Sequence, residues 1–336
     1  MAHPRLKRIL QNLAVSAFSL LLCVTLLEVI LRFNGYGNVE IYEPDPVLYW
    51  KLKPNQNCYT KVHHKPVHIN SHGTRGPEFQ PAKSTNILRI LSLGDSKTFG
   101  WGLSEGETYS DLIEHLLQKR IGNRKSVEVL NAGVNAWSYP QLSAYFHQIA
   151  LAYNPDIVIV ADANLWTQFS EKSSARFVKA FMTRVRFKNL LRRFAIYHYF
   201  VEVKLKEAYS RQLSRFIPVE PAQDTLFKEQ QRRDPSAVFR EAVEHICTLA
   251  LSNGIKPVLL YVPVADNSNP THQTVVREVK TEISRRLNIP LVDLYEDLAG
   301  HGKDLYMEGD SVHPNAEGNR VIARRLFETM STLVTP

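Results

Sequence analysis

The sequence predicts an α/β protein built on a parallel sheet that helices cover on both faces. From Asn86 onward, four or five continuous runs of Val, Ile and Leu alternate with amphipathic helical segments. Runs that are apolar at every position, rather than at every second one, are typical of strands buried on both faces. The 336 residues, 44% of them hydrophobic, supply the core of one large domain or two small ones and exclude a disordered chain.

The first predicted element is an apolar helix near the N-terminus. Ile9 to Leu27 carry no formal charge, and as a helix this stretch spans about 28 Å, one hydrocarbon core. Basic residues precede it, so the positive-inside rule predicts a cytoplasmic tail at 1–8, a transmembrane anchor at 9–33 and a periplasmic or extracellular remainder. A cleaved signal peptide is the alternative, but the apolar run exceeds a usual h-region and no small-x-small site follows it.

Residues 34–84 are predicted to form a juxtamembrane segment with short strands. They are rich in Pro, Asn, His and aromatic residues and contain the turn signal SHGTRG. Four histidines lie here, but their spacing fits no compact set of zinc ligands, so we expect neither a metal nor another cofactor. These histidines are His63, His64, His68 and His72.

Two cysteines, Cys58 and Cys247, lie beyond the apolar helix. In an oxidising compartment they are the only available pair. The apolar helical stripe around Cys247 favours a buried free thiol, and a disulfide between the two remains the alternative.

The remaining domain, predicted at 85–336, is interrupted by a basic, aromatic-rich insertion at about 171–234. Glu171 to Phe216 contain twelve Lys and Arg against three acids, a net charge of +9, so the rest of the chain accounts for about −1 of the total of +8. Apolar residues from Phe187 to Val201 follow helical spacing. A solvated helical lid and a surface for anionic headgroups, an anionic polymer or a lipid both fit this pattern. Nucleic acid does not, since no binding motif accompanies the charge.

A Gly-Asp-Ser sequence ends the first apolar run of the domain and places Ser96 at a strand-to-helix turn. A serine in this position is commonly only a helix N-cap. A nucleophilic serine also needs a base and an acid that orients the base. Near the C-terminus, Asp310 precedes His313 by three residues in a loop punctuated by Gly309 and Pro314. This spacing lets one loop carry both groups.

Candidate oxyanion donors follow the next two predicted strands. Gly133 comes after VEVLN, and Asn164 comes after DIVIVA. Each residue alone is an ordinary turn former. Together with Ser96 and the Asp310–His313 pair, however, they lie at the carboxyl ends of neighbouring strands, which is the arrangement that acyl transfer requires.

These four blocks, with PNAEGN after the histidine, resemble the SGNH (GDSL-type) hydrolase superfamily over residues 85–330. The resemblance implies a flavodoxin-like three-layer α/β/α fold and serine-dependent cleavage or transfer of O-acyl groups. It implies Ser96 as nucleophile, His313 as base, Asp310 as its orienting acid, and an oxyanion hole made of the Ser96 and Gly133 N–H groups and the Asn164 side chain. The segment INSHGTRGPEF is similar to one found in membrane-anchored bacterial members.

Two positions depart from the family pattern. The third block, usually Gly-x-Asn-Asp, reads Asp162-Ala163-Asn164-Leu165, so only Asn164 is retained. Lys97 follows the serine where an apolar or aromatic residue is usual. We expect its ammonium either to point to solvent from the first helical turn or to tune the site for an anionic substrate.

The sequence therefore predicts a membrane-anchored serine esterase, or a related acyltransferase, that acts on an acylated carbohydrate or lipid of the cell envelope. The N-terminal helix, and in one interpretation also the basic insertion, would contact the membrane. The alternative is a non-catalytic scaffold of the same fold that binds an anionic glycan or lipid. The sequence does not decide between hydrolysis and transfer, because both share the first half-reaction, and it does not predict the oligomeric state.

Overall fold

The computed structural model describes residues 4–38, 42–60, 63–164, 175–205, 234–265 and 270–334. The chain divides into two compact units. One unit comprises residues 1–39 and 186–219, and the other comprises residues 40–185 and 220–336. Each unit is described by itself below.

A five-stranded parallel sheet forms the centre of the larger unit. Its strands are β5 (Ile87–Gly94), β6 (Ser126–Gly133), β7 (Ile157–Val160), β8 (Lys256–Tyr261) and β9 (Leu291–Asp293). Their spatial order is β6-β5-β7-β8-β9, and all four pairings are parallel. This is the strand order of flavodoxin-like folds, as the resemblance implied. Ligands of such sheets bind beyond the carboxyl ends of the strands, where the order reverses around β5.

Helices cover both faces of this sheet, and the apolar strands give each face its own core. In β5 and β7 nearly every side chain is buried, which explains the continuous Val, Ile and Leu runs. One core contains Leu91 and Val158, and the other contains Ile90 and Ile159. The helices of the unit are α2 (Ser96–Phe99), α3 (Tyr109–Ile121), α4 (Tyr139–Gln148), α7 (Pro235–Ser252), α8 (Pro270–Leu287), α9 (Tyr295–Leu298) and α10 (Ala316–Leu333).

Two antiparallel hairpins precede the sheet in sequence and belong to the same unit. The first pairs β1 (Tyr42–Asp45) with β2 (Tyr49–Leu52), and the second pairs β3 (Gln56–Tyr59) with β4 (Pro66–Ile69). Their apolar side chains, Trp50 among them, lie in the same core as the sheet residues. The short strands expected in this part of the chain are therefore present, and they pack against the sheet domain.

The smaller unit contains the apolar helix α1 (Pro4–Phe33). Lys7–Phe33 is long and apolar enough to cross a membrane. The unit also contains the end of α5 (Ala175–Arg192), the short helix α6 (Ala195–Tyr197) and a π-helical stretch at His198–Leu205. The basic insertion is thus helical where the structure describes it, and its remaining residues lie outside the described ranges.

The cysteines Cys58 and Cys247 are both buried free thiols. Burial raises the pKa of the Cys247 thiol to about 12, so this side chain behaves as a small apolar group. The interpretation as a buried thiol is confirmed, and the alternative disulfide does not form.

Candidate active site

Ser96 is the first residue of α2, directly after β5 ends. Gly94 makes this tight junction possible, because a Cβ at that position would lie 2.0 Å from the Thr98 hydroxyl oxygen. The Asp95 carboxylate accepts a hydrogen bond from the Lys97 N–H at 2.9 Å and so caps the helix. The residue that caps α2 is therefore Asp95, which leaves the Ser96 side chain available for another contact.

The Ser96 hydroxyl oxygen lies 2.8 Å from His313 Nε2. On the other side of the ring, His313 Nδ1 lies 2.5 Å from Asp310 Oδ2. A carboxylate at Nδ1 keeps the proton on that nitrogen, so Nε2 is free to accept the serine proton. The structure thus brings these three predicted residues together in the order that nucleophilic catalysis requires.

The loop that carries both groups is held by its own backbone. Asp310 Oδ1 accepts hydrogen bonds from the Val312 and His313 N–H groups at 2.8 and 3.2 Å, and the Met307 N–H donates to the His313 carbonyl at 2.9 Å. Burial raises the pKa of Asp310. The hydrogen bond and charge of His313 and the hydrogen bonds from these N–H groups lower it by more, so the pKa lies below the ordinary value. Asp310 is therefore an anion at neutral pH.

Gly133 does not have the free N–H group that the sequence predicted. This N–H donates to Asn131 Oδ1 at 3.1 Å, so it has no hydrogen left for a ligand. The glycine is required for packing instead, since a Cβ here would lie 2.1 Å from the Phe99 backbone nitrogen. The assignment of Gly133 to the oxyanion hole is therefore corrected: this residue lets the end of β6 pack closely against α2.

Within the described part of the chain, an N–H group without an acceptor belongs to Ala136, in the loop after β6. Ala136 is exposed and has a left-handed backbone with φ of 64°, a conformation that costs a non-glycine residue about 1 kcal/mol or more. Among the described residues, the N–H groups of Ser96 and Ala136 have no hydrogen-bond acceptor. Nothing in the residue pattern marked this position, because alanine is not a typical left-handed residue.

Asn164 connects the third strand end to this loop. Its backbone N–H and its side-chain amide both donate to the Trp137 carbonyl, at 3.0 and 3.3 Å. One amide hydrogen remains for a ligand. Because β5 lies between β6 and β7, this contact joins the two loops that flank Ser96. The role of Asn164 as an oxyanion donor stays a prediction.

The first hairpin supports the same loop from a part of the chain that precedes the sheet. The Trp50 indole donates to the Asn135 carbonyl at 3.1 Å, and the Trp137 indole donates to the Trp50 carbonyl at 2.8 Å. Asn135 in turn donates to the Tyr42 hydroxyl at 2.5 Å. The conformation around Ala136 is therefore fixed by hydrogen bonds from β1 and β2.

A buried arginine holds the far end of α2. The Arg75 guanidinium donates to the carbonyls of Phe99, Gly100 and Leu103 at 2.8 to 2.9 Å. These carbonyls belong to the last residue of α2 and to the turn that follows it, and a positive charge at a helix C-terminus is favourable. Arg75 belongs to the SHGTRG sequence, so this motif does more than turn the chain: it fixes the helix that carries Ser96.

Lys97 does not point to solvent. Its ammonium donates to the Val262 carbonyl at 2.9 Å and lies 3.4 Å from Asp162 Oδ2. Asp162 also pairs with the fully buried Lys280 at 2.6 Å and accepts the Val262 N–H at 2.7 Å. The expectation that Lys97 points to solvent is wrong, because Asp162, a residue that departs from the family pattern, is its counterion. The alternative, that Lys97 tunes the site for an anionic substrate, stays a prediction.

The buried carboxylate of this cluster is compensated by its partners. Burial raises the pKa of Asp162, but Lys280, Lys97 and the Val262 N–H lower it to below the ordinary value. Burial lowers the pKa of Lys280, and the contact with Asp162 opposes that change only in part. The cluster therefore joins the ends of β7 and β8 to α2 and α8 beneath the nucleophile.

Comparison with known proteins identifies related sequences and folds. A family model described as GDSL-like Lipase/Acylhydrolase family matches residues 92–321. Similar solved structures include a lipase/acylhydrolase from Enterococcus faecalis, which is 17% identical, with 74% of this chain and 97% of that chain covered and a TM-score of 0.45. An acetylxylan esterase from Geobacillus stearothermophilus is 15% identical, with 74% and 95% covered and a TM-score of 0.45. The esterase EstA from Pseudoalteromonas is 14% identical, with 73% and 98% covered and a TM-score of 0.44. A search of curated proteins found no match.

Proposed function

The chain belongs to the GDSL-like lipase/acylhydrolase family of serine hydrolases, and on that premise we propose that it is a membrane-anchored esterase whose nucleophile is Ser96. In this proposal it cleaves or transfers O-acyl groups of an envelope carbohydrate or lipid. The observation that carries the proposal is the continuous chain of contacts from Ser96 through His313 to Asp310, at 2.8 and 2.5 Å.

The reaction begins when Ser96 Oγ attacks the carbonyl carbon of the ester and His313 Nε2 takes the serine proton. The carbonyl π electrons move to the oxygen, which becomes an oxyanion, and Asp310 stabilises the imidazolium. When the tetrahedral intermediate collapses, the C–O bond to the alcohol breaks and His313 gives its proton to the leaving oxygen. The products of this half-reaction are the free alcohol and an ester between the acyl group and Ser96.

The oxyanion is stabilised, in this proposal, by the N–H groups of Ser96 and Ala136 and by the Asn164 amide. Ser96 stands at the start of a helix, and the loops of Ala136 and Asn164 flank it on either side and are joined through Trp137. Donors fixed before the substrate arrives need no reorganisation during the reaction, and each is worth about 3 kcal/mol of transition-state stabilisation.

The second half-reaction removes the acyl group from Ser96. His313 accepts a proton from the incoming hydroxyl as its oxygen attacks the acyl carbon, and the proton returns to Ser96 Oγ when the acyl–enzyme bond breaks. Water as acceptor gives hydrolysis, and a sugar hydroxyl gives transfer. Ser96 and His313 have the same roles in hydrolysis and in transfer.

The proposed anchor is the apolar helix α1, with residues 1–8 in the cytoplasm and the catalytic domain in the periplasm or cell exterior. The length and composition of Lys7–Phe33 and the basic residues before the apolar run support this orientation. The proposed organisation has an anchor at 9–33, a juxtamembrane segment at 34–84 and a hydrolase domain at 85–336 with the basic insertion at about 171–234.

Hydrolysis of p-nitrophenyl acyl esters of graded chain length by the purified full chain tests the proposal. We expect activity in the wild type and its loss in Ser96→Ala. Ser84→Ala is the matched control, because Ser84 is exposed just before the amino end of the same strand and its replacement leaves the rate unchanged. Full activity in Ser96→Ala would remove Ser96 from its role. A folded wild type inactive on every ester would instead favour the non-catalytic scaffold.

A further inference from the structure

The smaller unit exposes a row of large apolar side chains outside the apolar helix α1. Phe187 and Leu190 lie three residues apart on α5, Phe194 follows the end of that helix, and the three side chains are 62%, 52% and 55% exposed. Phe200 and Leu205 continue the row along the following π-helical stretch. Exposed apolar side chains gathered in this way mark a contact surface for a protein or a membrane.

One ion pair of the same segment lies inside. Arg192 Nε donates to Glu202 Oε2 at 3.0 Å, and these side chains are 7% and 2% exposed. An ion pair turned inward with aromatic and aliphatic side chains turned outward is the reverse of what water favours. It is the arrangement expected where lipid contacts these exposed apolar side chains.

The segment is fixed at the end of α1 where the apolar run stops. The Glu28 carboxylate accepts hydrogen bonds from the Ala195 and Ile196 N–H groups at 2.9 and 3.0 Å. The Gly37 N–H donates to His198 Nδ1 at 3.0 Å. Because Glu28 is the first charged residue after the apolar run, these contacts hold the segment at the depth of the headgroup boundary, where aromatic side chains are favoured.

The exposed charges of the segment all have one sign. Among the described residues 183–205 the acid is Glu202, which is buried, whereas the exposed charged side chains are basic. A positive surface next to exposed apolar side chains matches the headgroups and upper acyl chains of an anionic leaflet. The basic residues are Arg184, Arg186, Lys188, Arg193 and Lys204.

We propose that residues 184–205, here called the interfacial segment, lie in the membrane interface beside the end of α1. Their aromatic and leucine side chains insert among the upper acyl chains, and their basic side chains bind anionic phospholipid headgroups. The inference rests on the anchor of the proposed function and is independent of the chemistry at Ser96. It gives the chain a second membrane contact in addition to the spanning helix.

Spin labels at single cysteines test this placement in the full chain reconstituted in phosphatidylcholine vesicles that contain phosphatidylglycerol. The background is Cys23→Ser, because the other two cysteines are buried. Labels at Leu190→Cys and Phe194→Cys report on the interfacial segment. A label at Leu20→Cys reports on α1, and one at the exposed Lys119→Cys on α3 is the aqueous control.

We expect labels 190 and 194 to have a several-fold higher ratio of oxygen to nickel-chelate accessibility than label 119, because oxygen concentrates in lipid and the chelate stays in water. A ratio equal to that of label 119, with label 20 still deep in the bilayer, would overturn the inference and leave the anchor intact. Low accessibility to both reagents would also overturn it and would indicate a protein partner on this face. A shallow label 20 would contradict the anchor itself.

The charge of the leaflet provides a second readout. We expect phosphatidylglycerol to slow the motion of label 194 relative to pure phosphatidylcholine, and high salt to weaken this effect. Replacing Arg186, Lys188 and Arg193 together by Gln removes the response while the label remains at lipid depth. Equal mobility in both lipids for the unsubstituted segment would overturn the assignment of anionic headgroups as its ligand.

Discussion

Replacement of Lys280 by methionine isolates the buried charge cluster beneath Ser96. The Lys280 ammonium is fully buried, 2.6 Å from Asp162 Oδ1, and it also donates to the Leu260 carbonyl at 2.5 Å. Methionine fills nearly the same space without the charge. Asp162 then keeps Lys97 at 3.4 Å and the Val262 N–H at 2.7 Å as partners.

The remaining partners set the expected size of the effect. Removing one member of a buried ion pair costs about 3–5 kcal/mol, and we expect about 3 kcal/mol for Lys280→Met because Asp162 retains a counterion. Asp162→Asn leaves two buried ammonium groups without their carboxylate, so we expect about 4 kcal/mol or more. The double variant leaves only the Lys97 ammonium without its carboxylate, so it is less destabilised than the sum of the singles by about 2 kcal/mol.

Guanidinium unfolding of the full chain in detergent, followed by the fluorescence of tryptophans that include the buried Trp137, measures these free energies. Lys119→Met, at an exposed site on α3, is the matched control and changes stability by less than about 0.5 kcal/mol. Two results would refute the argument that this pair compensates a buried charge. One is a loss of unfolding free energy in the double variant equal to the sum of the losses in the two single variants, and the other is a loss below about 1 kcal/mol for Lys280→Met.

Four further substitutions test the site. Ala136→Gly relieves the left-handed conformation, so we expect thermal unfolding to show a gain of about 1 kcal/mol with esterase activity retained. Gly133→Ala places a Cβ against the backbone of α2 and destabilises by about 1–3 kcal/mol in the same assay. Asp310→Asn lowers kcat by about 10²–10⁴-fold, because the amide no longer orients the imidazole or stabilises the imidazolium of the transition state. Since the pKa of Asp310 lies below its ordinary value, the stability from its ionised form is present above about pH 3.9 and is lost as the pH falls through the folded pKa. The wild-type advantage over Asp310→Asn in unfolding free energy therefore shrinks on acidification. Trp50→Phe removes one hydrogen bond to the loop of Ala136 and lowers kcat about tenfold with KM unchanged; an equal change in both constants would contradict a role in positioning donors.

The strands of the sheet were predictable because burial on both faces is visible in the sequence as uninterrupted apolar runs. ILRILSL corresponds to most of β5, and PVLLYVPV contains most of β8. The predicted strand ends then placed Ser96 and Asn164 beside each other, since parallel strands end at a common edge. The Asp310–His313 pair was predictable from a second observation: the two residues are three positions apart in one loop, so the loop can carry both the base and its orienting acid.

Other features of the site depend on contacts between distant residues and left no local signal. Lys97 looked exposed because its partners, Asp162 and the Val262 carbonyl, come from other strand ends far along the chain. Ala136 has a left-handed backbone because the first hairpin, β1 and β2, fixes its loop. Alanine as a residue type does not predict this conformation. Gly133 fitted the donor pattern by sequence, but the geometry assigns it to close packing against α2.

The most direct test of the central claim is covalent labelling of Ser96 by a fluorophosphonate probe, with the modified peptide identified by mass spectrometry. Attack by Ser96 Oγ on phosphorus displaces fluoride and leaves a stable phosphonyl ester, so the reaction reports the activated hydroxyl without any knowledge of the natural substrate. We predict modification at Ser96 in the wild type, much slower modification in His313→Ala, and none at this site in Ser96→Ala. An unlabelled Ser96 in the folded protein, or equal labelling rates with and without His313, would contradict the assignment of Ser96 as an activated nucleophile.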